Sequence, residues 1–417
     1  MGVGELDLDG LDGGVLSLRP APGGPPIGPG EAYVLVRLRG RPVGTVLGRI
    51  GQGDDAAEVL AGAARAQLTG LVPAEAPAPA PVPPRTSVVV ATRERAGQLA
   101  RALDSLLEQD HPDYEILVVD NNPVTDQTRA LVERHYAALG VRYVAEPVPG
   151  LAAAHNRGVA AARGEILAFT DDDVIADRRW LSALAAPFAG DAELGCVTGL
   201  ILPARLTTPA QILLESHGGF TKGFAPRHFD PRRPPADEPL FPFTAGRFGS
   251  GANMAFRAAA LRAVGGFDPA TGTGTPARGG DDLYAFARIV VAGHRLSYTP
   301  EALVWHHHRE TWRDLENQAY GYGAGLTAYL TAIIARRPAL LPALLARVPR
   351  GLAHALAISA HRADGSPSVP GEHGSRSHPW PRSLSRLERR GMLYGPLGYL
   401  RARRRVRGHR PPWETAR

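Results

Sequence analysis

From Thr86 onward, apolar runs rich in β-branched residues alternate with helical segments, and this alternation constrains the fold more than any other feature. The runs RTSVVVAT, YEILVVD, VRYVAEP and EILAFT have the length of strands, and segments such as RAGQLARALDSLLEQ separate them with leucines at helical spacing. Buried strands that alternate with amphipathic helices indicate a parallel sheet covered on both faces. We therefore predict an α/β, Rossmann-like fold with a mostly parallel sheet flanked by helices.

The length of 417 residues is too great for one compact core and predicts several modules. Near the N-terminus, AYVLVRLRGRPVGTVLG indicates two strands around a turn and AAEVLAGAARAQL a helix, so a small β-rich α+β module is expected. The segment PAEAPAPAPVPPR has the composition of an extended linker. The predicted units are an N-terminal module (1–70), a Pro/Ala linker (71–85), the main domain (86–312), C-terminal helices (313–360), a flexible linker (361–381) and a basic tail (382–417).

Three features of the sequence indicate the cellular compartment of the protein. The single cysteine, Cys196, cannot form an internal disulfide, which favours a reducing compartment. The N-terminus MGVGELDLDG lacks the pattern of a signal peptide. The most apolar late segment, GYGAGLTAYLTAIIA, is interrupted by arginines and a proline before it reaches membrane-spanning length. We therefore expect a cytoplasmic protein without a transmembrane helix.

The formal net charge is +6, and arginines cluster near the end in RRGMLYGPLGYLRARRRVRGHR. A solvated basic helix or a disordered tail explains this cluster without any function. Alternatively, Leu393, Tyr394, Leu397 and Tyr399 mix apolar groups with arginines, a combination that favours peripheral attachment to the anionic inner face of the cell membrane. These arginines also suggest a non-enzymatic nucleic-acid-binding protein as an alternative function. Because they are confined to one end with few aromatic residues between them, nucleic acid is not the expected partner.

Polar and acidic residues follow four successive predicted strands. In parallel sheets ligands bind beyond the carboxyl ends of the strands, so these residues predict one shared site. The residues at the four ends are Thr92-Arg93-Glu94, Asp120-Asn121-Asn122, Glu146 and Asp171-Asp172-Asp173.

The three consecutive aspartates predict a cation site. If the strand persists briefly through these residues, Asp171 and Asp173 share a direction while Asp172 points away, because successive side chains alternate along a strand. Two converging carboxylates suit Mg²⁺ or Mn²⁺. An acidic loop that caps the following helix explains the same residues without a metal.

A second acidic pair, Asp281-Asp282, follows two glycines and precedes the helical segment LYAFARIVVAG. Helix capping explains one aspartate, whereas two glycines that place both acids at a helix start indicate a positioned general base. Farther along, His306 and His308 would face one way on a strand, so one of them could complete a metal site. A solvated histidine cluster is the alternative.

Taken in order, these segments resemble the catalytic domain of glycosyltransferase family 2, the GT-A type of nucleotide-sugar transferase. TSVVVATRERAGQLARALDSLLEQ resembles its opening strand and helix, and YEILVVDNNP its second strand. GLAAAHNRGVAAARGEILAFTDDD resembles the segment leading into its Asp-x-Asp metal motif. GGDDLYAFARIVVAG resembles its Gly-Glu-Asp region and VWHHH its late histidine. Two departures stand out: an asparagine replaces the second aspartate in VDNNP, and Asp281 stands where glutamate is usual, which leaves open which acid is the base.

The resemblance implies inverting transfer of a sugar from a nucleotide-diphosphate donor, expected to be a UDP-sugar, assisted by Mg²⁺ or Mn²⁺. The implied acceptor is a hydroxyl group on a polysaccharide, a glycolipid (which would make it lipid-linked) or a secondary metabolite. Asp282 is the implied general base, with Asp281 beside it, and the implied metal ligands are Asp171, Asp173 and His306. The predicted donor-binding residues are Thr92, Arg93, Glu94, Asp120, Asn122, Asn156, Asp171, Asp172 and Asn253.

Two other enzyme classes remain as alternatives to this resemblance. A metal-dependent nucleotidyltransferase would share the sheet and the acids, but it would need a glycine-rich basic loop at the first strand, and VVVATRER lacks the glycines. A glycoside hydrolase needs two carboxylates but no metal motif. An assay with nucleotide sugars separates these classes.

Overall fold

The computed structural model describes residues 1–9, 16–68, 82–217, 219–351, 353, 380–406 and 413. Most of the two predicted linkers therefore lies outside the described residues. The same is true of the basic tail beyond Val406, apart from Trp413.

The N-terminal module is a four-stranded sheet with one helix packed on it. Its sheet order is β2-β1-β3-β4. Arg39 and Gly40 form the turn between the last two strands, and both have positive φ, 53° and 71°. The side chain of Asp55 caps the helix by accepting hydrogen bonds from the backbone N–H groups of Ala57 and Glu58. The elements are β1 (Gly2–Asp7), β2 (Ser17–Pro20), β3 (Gly30–Leu38), β4 (Arg41–Ile50) and α1 (Ala56–Gln67).

The described part of the main domain is built on a nine-stranded sheet with the order β11-β13-β10-β12-β8-β5-β6-β7, and β9 pairs with β13. Strands β7, β6, β5 and β8 are parallel neighbours, and β10 and β13 form a second parallel pair. Strand β12 lies between β8 and β10, antiparallel to both. The strands are β5 (Thr86–Thr92), β6 (Tyr114–Asn121), β7 (Val141–Glu146), β8 (Ile166–Asp171), β9 (Val174–Ala176), β10 (Leu194–Pro203), β11 (Arg227–Phe229), β12 (Asn253–Arg257) and β13 (Arg295–His306).

Helices cover both faces of this sheet, which confirms the predicted fold class. Val88 and Val90 of β5 face one apolar cluster with α2 and α5, whereas Val89 faces another with α4, α9, α10 and α12, since side chains alternate along a strand. The helices are α2 (Ala96–Leu107), α3 (Gln127–Leu131), α4 (Leu151–Ala161), α5 (Trp180–Gly190), α6 (Pro209–Ser216), α7 (Ala245–Phe248), α8 (Ala258–Ala263), α9 (Asp281–Val291), α10 (Trp312–Arg336), α11 (Leu341–Leu345) and α12 (Arg382–Arg405).

The N-terminal module is docked against the main sheet next to β10 and β13. Val3 and Leu35 share an apolar cluster with Leu200 and Trp305. At the edge of this cluster Arg37 Nη2 donates to Asp177 Oδ2 at 2.6 Å. Arg41 Nε donates to Glu301 Oε1 at 2.7 Å. The module is therefore fixed beside the end of β13.

Helix α12 lies closely against α10, and glycines make this approach possible. A Cβ atom at Gly323 would collide with the backbone carbonyl of Glu388, and one at Gly391 with that of Tyr320. Thr327 Oγ1 donates across the contact to the carbonyl of Met392 at 2.8 Å. Most of the basic tail that the structure describes is thus an ordered, docked helix.

Tyr399 of α12 is fully buried, and its hydroxyl donates to Asp268 Oδ2 at 3.1 Å. Arg336 Nε donates to the same oxygen at 3.1 Å. Tyr399 is therefore a core residue, and the expectation that it belongs to a lipid-facing surface is wrong. The buried carboxylate of Asp268 needs both donors, which explains why this tyrosine points inward.

No single helix within the described ranges has both the length and the apolar content needed to cross a membrane. Helix α10 together with Pro338–Leu345 passes both criteria only as a pair that is bent by 117°.

Candidate active site

The acidic strand ends lie side by side at one edge of the sheet. In the parallel register Thr92 pairs with Asp120 and Ala91 pairs with Asp171. Strand β9 pairs with β13 and places Val174 opposite His306. Asp173, the residue before Val174, therefore lies at the end of β13. The site therefore forms where β5, β6, β8 and β13 end.

Asp171, Asp173 and His306 converge in a way that suits a metal ion. One ligand atom from each residue lies within 4.8 Å of the other two, and His306 Nε2 is 3.4 Å from Asp173 Oδ1. Asp173 Oδ1 is buried and, among the described residues, has no hydrogen-bond partner. Two hard carboxylates with one imidazole fit Mn²⁺ or Mg²⁺, which would compensate the unpartnered oxygen.

The protonation behaviour of this cluster agrees with a cation site. Burial, followed by the charges of Asp173, Asp172, Asp281 and Asp282, raises the pKa of Asp171 well above its ordinary value. Burial and the neighbouring His308 and Arg309 lower the pKa of His306 well below its ordinary value. His306 is therefore neutral near pH 7, the form that binds metals. Concentrated carboxylates beside a neutral imidazole favour a bound cation.

Asp172 and Asp173 lie in the turn that follows β8, so the strand alternation assumed in the sequence prediction ends at Asp171. The Asp172 carboxylate accepts from Thr92 Oγ1 at 2.7 Å and from Arg95 Nη1 at 3.1 Å. The hydrogen bond between Thr92 and Asp172 therefore orders the turn that contains Asp172. Their direct contact with a donor stays a prediction.

Two arginines beside the cluster are absent from the sequence prediction. Arg95 Nη1 lies 3.6 Å and Arg309 Nη2 3.4 Å from Asp173 Oδ2. Arg95 follows the first strand end by three residues, and Arg309 comes directly after the histidines. Positions flanking a predicted strand-end site were the signal that could have pointed to them.

Asp120 has one carboxylate oxygen without a partner among the described residues. Its Oδ2 accepts from the Tyr143 hydroxyl at 3.0 Å, while Oδ1 is buried and unpaired. Burial raises the pKa of this carboxyl group. A buried oxygen of this kind is suited to accept a hydrogen bond from a ligand N–H group.

The next predicted residues, Arg93, Glu94 and Asn122, lie on the loops around this edge. Glu94 Oε1 accepts from the backbone N–H groups of Val124 and Thr125 at 2.8 and 3.0 Å. These bonds, with the bond from the Thr125 hydroxyl, lower the pKa of Glu94. Glu94 therefore braces the loop after β6. Arg93 is exposed and Asn122 half-buried.

Two predicted donor-binding residues, Asn156 and Asn253, are instead used inside the protein. Asn156 exchanges two hydrogen bonds with the backbone of Phe267, at 2.8 and 3.0 Å. Asn253 Nδ2 donates to the carbonyls of Leu200 and Ala302, and its Oδ1 accepts from Trp180 Nε1. Because these amides are buried and bonded at both ends, we do not retain either residue in the proposed site.

The two acids at the start of α9 have different surroundings. Asp281 is buried, with Oδ2 3.2 Å from Nδ1 of His155. Asp282 is only half-buried, and its Oδ2 accepts from the backbone N–H of Gly251 at 2.9 Å. Burial and the neighbouring charge of Asp281 raise the pKa of Asp282 to about 6. Partial exposure and a pKa near neutrality are properties that suit Asp282 to accept a proton, and its role as general base stays a prediction.

Residues 87–265 match the family model described as glycosyl transferase family 2. These residues form a glycosyltransferase family 2 domain. The match ends before α9 and β13, so Asp282 and His306 lie outside the matched segment.

Several known glycosyltransferases are similar to this domain and its surroundings. The pre-mycofactocin glycosyltransferase of Mycobacterium tuberculosis is 28% identical over 239 residues, which cover 57% of this chain and 46% of that protein. The validoxylamine A glucosyltransferase of Streptomyces hygroscopicus subsp. jinggangensis is 36% identical over 124 residues, 28% of this chain and 29% of that protein. The chain thus spans less than half the length of each of these relatives.

Among solved structures, the chain is similar to the mannosyltransferase PcManGT from Pyrobaculum calidifontis, in complex with GDP-Man and Mn²⁺. The TM-score is 0.48 with 21% sequence identity, and the similarity covers 78% of this chain and 91% of that one.

Proposed function

We propose that this family 2 domain makes the chain a glycosyltransferase, which moves a sugar from a nucleotide-diphosphate donor to a hydroxyl acceptor. The observation that carries the proposal is the convergence of Asp171, Asp173 and His306 near Asp282 at the carboxyl edge of the sheet. The names of the relatives support the same reaction class. The family match disfavours the nucleotidyltransferase and nucleic-acid alternatives.

The donor is proposed to be a UDP-sugar. A uracil ring has an N–H group, which would donate a hydrogen bond to the unpaired Oδ1 of Asp120. Arg95 and Arg309 carry positive charge at the side of Asp173, where a diphosphate would need it. The acceptor is proposed to be a polysaccharide, a glycolipid or a secondary metabolite.

Asp171, Asp173 and His306 would hold Mg²⁺ or Mn²⁺, which would supply positive charge opposite the negative charge that develops on the leaving diphosphate. The chain's own residues perform the rest. Asp282 takes the proton of the acceptor hydroxyl, and the oxygen attacks the face of the sugar opposite the diphosphate, which inverts the anomeric centre. The hydroxyl proton moves late, as the new bond forms, because an aspartate is a weak base. The Gly251 N–H fixes the direction of the Asp282 carboxylate.

An assay with a panel of nucleotide sugars tests the proposal. The protein is incubated with Mn²⁺ and UDP-, GDP- or dTDP-sugars, and the release of nucleoside diphosphate is measured. We expect slow, metal-dependent hydrolysis of at least one donor, fastest with a UDP-sugar. If no donor is turned over with metal present, the proposed reaction is wrong.

The pH dependence of transfer follows from Asp282. A carboxyl group with a pKa raised to about 6 is protonated below that pH and can no longer accept the hydroxyl proton. We expect log kcat/KM to rise with unit slope from about pH 5 to about pH 6 and to level off above it. Rates should be corrected with donor affinities measured at each pH, because Asp171 also titrates. A flat profile across this range would contradict the role of Asp282.

Contact with a membrane is proposed through the exposed face of α12. Leu393, Leu397 and Leu400 repeat at helical spacing and are 85%, 47% and 48% exposed. This apolar stripe is flanked by exposed arginines, which favour an anionic lipid surface such as the inner face of the cell membrane. The flanking residues are Arg386, Arg389, Arg390, Arg401, Arg403 and Arg404.

The double variant Leu393→Asp/Leu397→Asp should bind anionic vesicles at least about tenfold more weakly, since buried leucines each contribute about 1.5 kcal/mol or more. Co-sedimentation with phosphatidylglycerol and with phosphatidylcholine vesicles measures this. Leu139→Asp, at another exposed leucine, is the matched control. Substitution is preferable to truncation because α12 contributes Tyr399 to the core. Unchanged vesicle binding by the double variant would refute this contact.

A further inference from the structure

Behind His306, a series of hydrogen-bonded polar side chains, buried or half-buried, leads to the N-terminal module. His306 Nδ1 lies 2.9 Å from His308 Nδ1, and His308 Nε2 lies 3.0 Å from Glu215 Oε2. The Tyr33 hydroxyl of β3 donates to Glu215 Oε1 at 3.2 Å. His308 is 3% exposed, and the side chain of Glu215 is 8% exposed. Four side chains from three separate parts of the sequence are thus joined without solvent between them.

For a neutral His308, the hydrogen-bond rules place the protons along this series of groups. A carboxylate only accepts, so such a His308 would carry its proton on Nε2 to donate to Glu215. Its Nδ1 is then an acceptor, and the nitrogen facing it, His306 Nδ1, must carry the proton. His306 therefore presents the lone pair of Nε2 toward Asp173 Oδ1, 3.4 Å away. That is the form of the ring that can bind a metal.

We propose that Glu215 and His308 are positioning residues that set the tautomer and direction of His306, and that Tyr33 of the N-terminal module completes the set. This inference rests on the proposed metal site at Asp171, Asp173 and His306. It gives the N-terminal module a role in that site, since Tyr33 belongs to β3.

Several further contacts hold these hydrogen-bonded side chains in place. Helix α6 carries Glu215 in its last turn and begins with a capping box between Thr208 and Gln211. Gln211 Nε2 also donates to the His308 carbonyl at 3.1 Å. The Phe220 ring lies 5.0 and 5.5 Å from the two imidazole rings and covers them.

A different protonation state of His308 would place the proton of His306 on the other ring nitrogen. A doubly protonated His308, paired with Glu215, would donate from both nitrogens. His306 would then accept at Nδ1 and carry its proton on Nε2, which would leave no lone pair for a metal. The position of the proton on His306 therefore decides between the two.

Long-range ¹H–¹⁵N spectra of the metal-free protein measure that position. We expect His306 to be neutral with its proton on Nδ1, and His308 to be neutral with its proton on Nε2. The signals are assigned by their loss in His306→Gln and His308→Gln variants. A proton on Nε2 of His306 overturns the proposal, whether or not the protein binds a metal.

Mn²⁺ affinity, measured from the electron paramagnetic resonance signal of the free ion, gives a second test. Glu215→Gln keeps the shape and an acceptor oxygen but removes the charge, so we expect about 10–100-fold weaker binding. Tyr33→Phe should weaken binding in the same direction by less. Glu301→Gln alters the contact between the main domain and Arg41 of the N-terminal module, but it does not touch the four hydrogen-bonded side chains. The Mn²⁺ affinity of this variant should therefore match that of the unaltered protein.

The Mn²⁺ measurements distinguish an error in the positioning role from an error in the metal site. If the unaltered protein binds Mn²⁺ and Glu215→Gln binds it equally well at an unchanged Tm, the positioning role is wrong and the metal site stands. If the unaltered protein binds no Mn²⁺, with or without a nucleoside diphosphate, the metal site itself is wrong and the positioning role falls with it.

Discussion

Replacing Asp282 by asparagine is expected to abolish sugar transfer while donor binding is retained. Asparagine keeps the size of the side chain and an oxygen that can accept from the Gly251 N–H, but it cannot take a proton. Loss of general-base assistance typically costs about 10²–10⁴-fold in kcat. Transfer rates with a saturating donor, together with donor affinity by calorimetry, measure the two effects separately.

Asp281→Asn is the matched comparison, because it changes the neighbouring acid in the same way. Asp281 is buried beside His155, so we expect this change to lower Tm and to leave more transfer activity than Asp282→Asn. If Asp282→Asn stays active while folded Asp281→Asn is inactive, the two acids have been assigned in the wrong order.

Asp173→Ala is expected to remove metal-dependent donor binding. Asp173 contributes the unpartnered buried oxygen that faces His306, and its loss also leaves Arg95 and Arg309 with less negative charge beside them. Changes to outer partners of metal ligands already cost about 10–100-fold in affinity, so loss of a ligand should cost more than about 100-fold. Calorimetric titration of Mn²⁺ with a nucleoside diphosphate measures this.

Asp172→Asn is the control for that variant, since it alters the adjacent aspartate. Asp172 is bonded to Thr92 and Arg95, so we expect a lower Tm with Mn²⁺ affinity largely kept. Equal loss of Mn²⁺ affinity in both variants would show that the turn as a whole matters and that Asp173 has no special place in it.

The sheet and the position of its acidic edge could be predicted because both follow from local patterns. Strand and helix periodicities appear within short windows, and parallel strands must place their carboxyl ends at one edge. Asp120 and Asp171 therefore came together as expected, at the ends of β6 and β8. The different partners of Asp172 and Asp173 depend on the turn after β8, which strand alternation does not describe.

The remaining features depend on contacts between distant segments, which local patterns do not contain. Tyr33 and Glu215 are 182 positions apart, so their contact could not be read from sequence spacing. Asn156 and Asn253 were assigned to the donor because asparagines near a site often bind ligands, but buried backbone groups already use their amides. Tyr399 was assigned to a surface because it sits among arginines, and only the buried Asp268 explains its inward direction.

Calorimetric titration of the unaltered chain with UDP, GDP and dTDP, with Mn²⁺ and again with a chelator, measures whether nucleotide binding depends on the metal. We expect a nucleoside diphosphate to bind only when Mn²⁺ is present, and UDP to bind most tightly. Equal binding in the presence of the chelator, or no binding of any of the three nucleotides with Mn²⁺, would contradict this expectation.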